Sequence, residues 1–238
     1  MKEIRFFYNP DAENGELPEE EAAHAVRVLR LQMGDEIWVM NGKGTFYRCS
    51  ISECTKKRCL YNILETLPQE RQWKGHLHLS IAPTKNIDRM EWLAEKATEI
   101  GFDELTFLNC SNSERRTVKE ERINKILVSA MKQSHKSTLP KWNGMVDFDT
   151  FIKTHSDNDV QRYICHCWEG EKTALAKDVK EGDAIVMIGP EGDFSQGEVE
   201  TAEKAGFIPT TLGQSRLRTE TAGLVAVNIM HIKNEQQI

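Results

Sequence analysis

The sequence predicts an α/β fold: a C-terminal α/β domain with a mostly parallel sheet over residues 72–238, preceded by a small β-rich domain over residues 1–71. Three observations support this. From about residue 76, strand-like and helix-like segments alternate, the pattern of a parallel sheet with helical crossovers. One of those strands, AIVMIG, is a continuous apolar run, as a central strand covered on both faces requires. Before residue 71 that rhythm is absent, and short β-like stretches are punctuated by Asn41-Gly42 and Gly44.

Within the first region EIRFFY, DEIWVM, TFYRCSI and LYNILE read as strands. An acidic stretch, Glu19 to Glu21, precedes a helix over 22–31, in which Ala22, Ala25, Val26 and Leu29 share a face and Arg27 and Arg30 lie off it. The polar stretch Pro68 to Gly75 marks the boundary. Beyond it LHLSIA is a strand. A helix follows, with Ile87, Met90, Leu93, Ala94, Ala97 and Ile100 at helical spacing, and stops at Gly101. LTFLN is the next strand, and Glu121 to His135 the next helix, ended by Pro140. RYICHCW and AIVMIG are strands. Ser195 and Glu198 form a capping box that opens a helix to Lys204, with Gly206 beyond its end. FIPTTLG is a short strand, and Glu220 to Lys233 a last apolar helix.

At 238 residues, 39% hydrophobic and 29% charged, the chain has the make-up of a soluble globular protein and can bury a real core. MKEIRFFYNP has no apolar h-region, and no apolar run nears the roughly 20 residues of a membrane span, so the expected location is the cytoplasm. No metal site is expected. Cys49, Cys54 and Cys59 recur at a five-residue spacing unlike the close pairs of zinc sites. Strand alternation in RYICHCW sets Cys165 and Cys167 on the face opposite His166, as buried strand cysteines.

A net charge of −6 does not announce a nucleic-acid binder, yet basic residues cluster locally. Arg5, Arg27, Arg30, the run Lys56, Lys57 and Arg58, Arg115 beside Arg116, and Lys136 near Lys132 are the candidates. A solvated face is the alternative for each of them, and for the run Lys56 to Arg58 taken alone it is the better reading.

Ligands of open parallel sheets bind beyond the carboxyl ends of the strands. Three loops fall there: Ala82 to Lys85, Gly189 to Ser195 and Leu212 to Gly223. In GPEGDFS, Gly189 and Gly192 permit unusual dihedrals and close backbone approach, and Pro190 stiffens the turn. Glu191 and Asp193, without a lysine, argue against a phosphate cradle and for a ligand that carries positive charge or presents donors. The loop is equally readable as a tight β-to-α turn before a capped helix. In LGQSRLRTETAG, Arg216, Arg218 and Glu220 precede an apolar helix that Thr219 or Thr221 can cap. Surface ion pairing accounts for the arginines too, but Arg218 stands where this fold places function. These loops also suit a different α/β enzyme that binds a nucleotide, or an RNA-binding ribosome-assembly protein.

The segment IGPEGDFSQGEVETAEKAGFIPTTLGQSRLRTETAG resembles the ribosomal RNA small subunit methyltransferase E family, within the SPOUT superfamily of knotted methyltransferases. The family pattern carries GPEGGFS, LG, then ILR and ETA. AHAVRVLRLQMGDEI followed by NGKGTFY, IDRMEWLAEKATEIG, SERRTVK and QSHKSTLP resemble its other segments in order, so the likeness covers nearly the whole chain. It implies a PUA-like β-barrel followed by an α/β domain with a deep trefoil knot, a rare exception to unknotted topology. It implies S-adenosylmethionine as cofactor, held by Ile188, Gly189, Glu191 and Gly192 of one loop and by Leu212, Gly213, Leu217, Arg218 and Thr221 of the next. It further implies a homodimer that methylates N3 of a uridine in 16S ribosomal RNA. Arg218 and Glu220 are the expected catalytic residues, Arg218 for charge on the uracil and Glu220 for its proton, although capping of the helix or pairing with Arg218 accounts for Glu220 equally well. Asp193 stands where the pattern has glycine, so a glycine-only dihedral is not expected there. Lys136 replaces arginine and Ser129 replaces glutamate, which bears on fine RNA contacts.

Overall fold

The computed structural model describes residues 5–55, 58–156 and 159–235. It forms two compact units. One runs to Arg71 and adds Val128–Leu139; the other comprises Gln72–Leu127 and the chain from Pro140 onward.

The first unit holds β1 (Phe6–Tyr8), α1 (Glu19–Ala23), β2 (Glu36–Met40), β3 (Thr45–Cys54) and β4 (Cys59–Pro68). Strand order is β1-β2-β3-β4, with β1 parallel to β2 and the other pairs antiparallel. Phe7, Ile37, Val39, Cys49, Ile51 and Tyr61 form its core with Ala22 and Ala25. The helix expected over 22–31 is α-helical only to Ala23 and widens into a π turn at His24–Val28. The Leu29 N–H donates to the His24 carbonyl (3.1 Å) and the Leu31 N–H to that of Ala25 (3.0 Å). The wider turn keeps both alanines buried and still returns Leu31 to the core, a fit that a regular 3.6-residue spacing does not reveal.

The second unit contains β5 (Leu77–Ile81), α2 (Ile87–Ile100), β6 (Glu104–Asn109), the start of α3 (Glu120–Gln133), β7 (Lys141–Asp147), α4 (Phe148–Thr154) and β8 (Gln161–Cys165). After these come β9 (Thr173–Ala174), α5 (Leu175–Asp178), β10 (Ala184–Ile188), α6 (Gln196–Lys204), β11 (Ile208–Thr211) and α7 (Thr219–Asn234). Its seven strands run in the order β7-β6-β5-β10-β8-β11-β9, and the pairings are parallel. Every residue of β5 and β10 is buried, as the apolar run of β10 predicts and as polar His78 and Ser80 of β5 do not. The capping box at Ser195 and Glu198 is present.

Three details differ from expectation. Pro140 does not end α3; the helix closes earlier, on His135 in the left-handed conformation (φ 54°). There the His135 N–H donates to the Lys132 carbonyl (3.3 Å) and the Lys136 N–H to that of Met131 (3.1 Å), a Schellman motif. Second, β8 stops at Cys165, so His166 and Cys167 lie past the strand; Cys167 is exposed rather than a buried strand cysteine. Third, α7 has Arg218 at its N-cap without a side-chain cap, so neither Thr219 nor Thr221 fills that role.

A polar network runs across the sheet beneath α4. His78 is buried; its Nε2 lies 2.8 Å from Thr106 Oγ1 and 3.2 Å from Ser80 Oγ, while Asn143 donates to Thr106 (2.8 Å) and Glu104 (2.6 Å). Burial pushes the His78 imidazole down from its ordinary 6.5 to about 3, against the opposing pull of Glu104. As pH falls the unfolded chain therefore takes up this proton first. The stabilisation is complete above pH 6.5 and is lost toward pH 3, at about 1.4 kcal/mol per pH unit. Denaturant titrations between pH 6.5 and 4 are expected to show a shallower loss of stability for His78→Asn than for the parent; equal slopes would refute the assignment.

Candidate active site

The carboxyl ends of β5, β6, β8, β10 and β11 open onto five loops, and the sequence ties several of them together. The Glu191 carboxylate accepts the Lys85 N–H on both oxygens, each at 3.2 Å. Arg115 Nε donates to the Thr84 and Lys85 carbonyls, each at 3.1 Å. The peptide groups at Lys85 are thus held from both sides. Asn112 bridges the β6 loop to the β10 loop through the carbonyls of Gly192 (3.2 Å) and Asp193 (3.1 Å). Glu198, inside its capping box, also accepts the Ser111 N–H at 2.8 Å.

Within GPEGDFS the unusual dihedral belongs to Asp193, not to the glycines. Asp193 is left-handed at φ 64°, a conformation that aspartate tolerates. Its carboxylate fixes that state by accepting the N–H of Phe194 (2.8 Å) and of Cys167 (2.7 Å). The glycine of the family pattern is therefore replaced without losing the turn. Gly189 is needed for closeness instead: a β-carbon there would stand 3.0 Å from the Phe194 ring and backbone nitrogen. Ile188 is buried at the end of β10, and its carbonyl accepts the Ala82 N–H at 2.9 Å.

In the last loop Leu212, Leu217 and Thr221 are half-buried and Gly213 is exposed at φ 128°, with no atom within 4 Å of where a β-carbon would sit. A ligand can therefore approach that backbone closely. Arg218 is exposed. Glu220, two residues on, is only 7% exposed. Its Oε1 lies 3.7 Å from Arg89 Nε on α2, and its Oε2 has no hydrogen-bond partner. The partner of Glu220 is Arg89, not Arg218. Arg89 lies within IDRMEWLAEK, where only its place in the family-like segment could have flagged it.

The candidate RNA contacts divide between the units. Arg5, Arg27 and Arg30 are exposed in the first unit, with Arg30 left-handed at φ 53°. Arg58 is gripped by Glu16 through Nε (2.7 Å) and Nη2 (2.8 Å), which offsets its charge. Lys56 and Lys57 lie outside the described residues. Arg115 serves the Lys85 loop in the second unit, and half-buried Lys136 follows the α3 terminus in the first. Among the described residues no cluster of three or more histidine, cysteine or acidic side chains is arranged to hold a metal ion, and no helix is long and apolar enough to cross a membrane.

Fold and site together define the class. Residues 71–231 match the RNA methyltransferase domain, and residues 17–64 match the RNA methyltransferase PUA domain. The chain is 31% identical to ribosomal RNA small subunit methyltransferase E of Aquifex aeolicus (90% of this chain, 92% of the relative) and 26% identical to that of Bacillus subtilis (91% and 89%). Among solved structures it is similar to a probable rRNA-methyltransferase from Porphyromonas gingivalis (TM-score 0.90, 40% identity, 97% and 98% covered). It is also similar to the Neisseria gonorrhoeae ribosomal RNA small subunit methyltransferase E bound to S-adenosyl methionine (TM-score 0.83, 25% identity, 97% and 98% covered). The chain belongs to the ribosomal RNA small subunit methyltransferase E family.

Proposed function

We propose that this protein methylates N3 of a uridine in 16S ribosomal RNA of the small subunit, using S-adenosylmethionine, with Arg218 and Glu220 as catalytic residues. One observation carries the assignment of chemistry: a deeply buried carboxylate with one oxygen lacking a partner, two residues from an exposed arginine, at the carboxyl end of the parallel sheet. A buried acceptor without a partner is costly unless a ligand supplies the donor. The loops over residues 189–195 and 212–223 fit the cofactor: neither carries a lysine for a phosphate, and the Gly213 backbone lies open to close approach. Ile188, Gly189, Glu191, Gly192, Leu212, Gly213, Leu217, Arg218 and Thr221 would hold it, largely through their backbone groups; that the Neisseria relative is bound to S-adenosyl methionine supports the choice of cofactor. Once bound, the cofactor supplies an electrophilic methyl group on a sulfonium.

The protein's share is positioning and electrostatics. Uracil N3 reacts poorly while it keeps its proton. Glu220 is the residue assigned to take that proton. Arg218 stabilises the negative charge that spreads onto the uracil carbonyl oxygens. For the base to reach these groups it must lie in a single-stranded region or leave its helix. Arg5, Arg27, Arg30, Lys56, Lys57, Arg58, Arg115 and Lys136 are assigned to phosphate contacts, with the region over residues 1–71 as an RNA-binding PUA-like barrel and residues 72–238 as the catalytic domain. The homodimer and the trefoil knot are proposed as what the family resemblance implies, and the cytoplasmic location on the sequence alone.

Mass-spectrometric mapping of methylated uridines in ribosomal RNA tests the reading. Cells lacking the protein are expected to lose N3-methylation at one 16S position and to regain it with the intact gene. An unchanged methylation map would overturn the proposal.

A further inference from the structure

The segment Asn86 to Glu91 begins α2 at the same end of the sheet as Glu220. Asn86 caps the helix by accepting the Asp88 N–H at 3.0 Å. Asp88 and Glu91 are both paired with Arg122 of α3, at 3.7 and 2.5 Å. Arg89, between them, is paired across the α2–α7 seam instead, 3.7 Å from Glu220 Oε1. The neighbouring acids thus have their own cation, and Arg89 is left to the carboxylate of the site.

Glu220 needs such a partner. A carboxylate at this depth is held in place only with compensation, and among the described residues no ion pair joins it to Arg218. Gly223, one helical turn further on, seats α7 so closely that a β-carbon would stand 2.8 Å from Ile81 Cδ1 and 3.1 Å from Leu93. The helix axis is therefore set by packing, which leaves the orientation of the Glu220 side chain to its local partner.

We propose that Arg89 is a positioning residue for methyl transfer: it pairs with Oε1 of Glu220 and so fixes the orientation from which the carboxylate takes its proton. This rests on the reading of Glu220 as proton acceptor. Arg89 touches neither cofactor nor base in this scheme and acts only through the carboxylate.

Single-turnover rates at saturating cofactor and RNA test the idea, with cofactor affinity measured by calorimetry. Arg89→Ala is expected to lower the rate about 30-fold, the scale on which misplacing a catalytic group acts. Cofactor Kd and RNA KM should stay within about threefold of the parent. Arg89→Lys should recover most of the rate. In a Glu220→Gln background, which alone is expected to cost about a hundredfold, Arg89→Ala should add almost nothing. Should Arg89→Ala fail to fold, Arg89→Gln, which keeps most of the stem, takes its place in the cycle. The proposal is overturned by a full rate in the Arg89 variant, by an undiminished further loss on top of Glu220→Gln, or by a loss confined to Kd or KM. A full rate for Glu220→Gln alone sinks the proton-acceptor reading itself. That result is read without any Arg89 variant, so the two failures are distinguishable.

Discussion

Arg218→Ala is expected to lower single-turnover methyl transfer by about a thousandfold, the upper range for removing one group that stabilises developing charge. Cofactor affinity and thermal stability should remain close to those of the parent protein. The reason is positional. Arg218 occupies the N-cap of α7 with extended backbone (φ −73°, ψ 155°) and makes no side-chain capping bond, so alanine keeps the local conformation and removes no structural hydrogen bond. Its exposure means that little packing is lost. Arg218→Lys should recover only part of the rate, since an ammonium lacks the planar fork that can meet a uracil carbonyl with two donors. Turnover near the parent rate in Arg218→Ala, with cofactor bound, would remove Arg218 from the mechanism.

Gly223→Val should have the largest effect on stability, a loss of about 3 kcal/mol. The first added carbon already stands 2.8 Å from Ile81 Cδ1 and 3.1 and 3.3 Å from the two δ-carbons of Leu93. Valine adds two more carbons to a site bounded by a fully buried strand and a buried leucine, so α7 must move off β5 or α2. The better helix propensity of valine returns only a few tenths of a kcal/mol. Urea denaturation would show this as a lower midpoint with an unchanged slope. A midpoint equal to the parent's would mean that α7 is not seated as tightly as the structure has it.

The alternation of strand-like and helix-like segments made much of the second unit readable: β5, α2, β6, β10, α6 and α7 fall where the pattern places them, while β8 ends earlier, at Cys165. What periodicity missed has identifiable causes. β7 is an edge strand with exposed Lys141 and a left-handed Gly144, so it lacks both an apolar run and a clean alternation. α4, β9 and α5 are too short for a period to register. The π turn at His24 and the left-handed closure at His135 depend on tertiary fit rather than on a local glycine or proline signal. At the site, the loops were legible because strand ends are where such sheets bind ligands. Their mutual contacts were not. Pairing Lys85 with Glu191, Asn112 with Gly192, or Arg89 with Glu220 joins residues far apart in sequence, and no spacing rule encodes these meetings.

The chain passes between its two units three times, because Val128–Leu139 belongs with the N-terminal segment. Met131 is buried with Met40 and Phe46, and Leu139, Phe6, Tyr8 and Trp38 pack against that cluster. The Gly44 N–H donates to the Ser137 carbonyl at 2.9 Å, and Lys132 meets Glu21 at 2.5 Å. No single scission therefore yields the N-terminal unit whole: a fragment ending at Arg71 leaves a hole where Met131 belongs and strips partners from Gly44 and Glu21. Any recombinant that keeps this unit intact must carry the α3 terminus along with the first 71 residues.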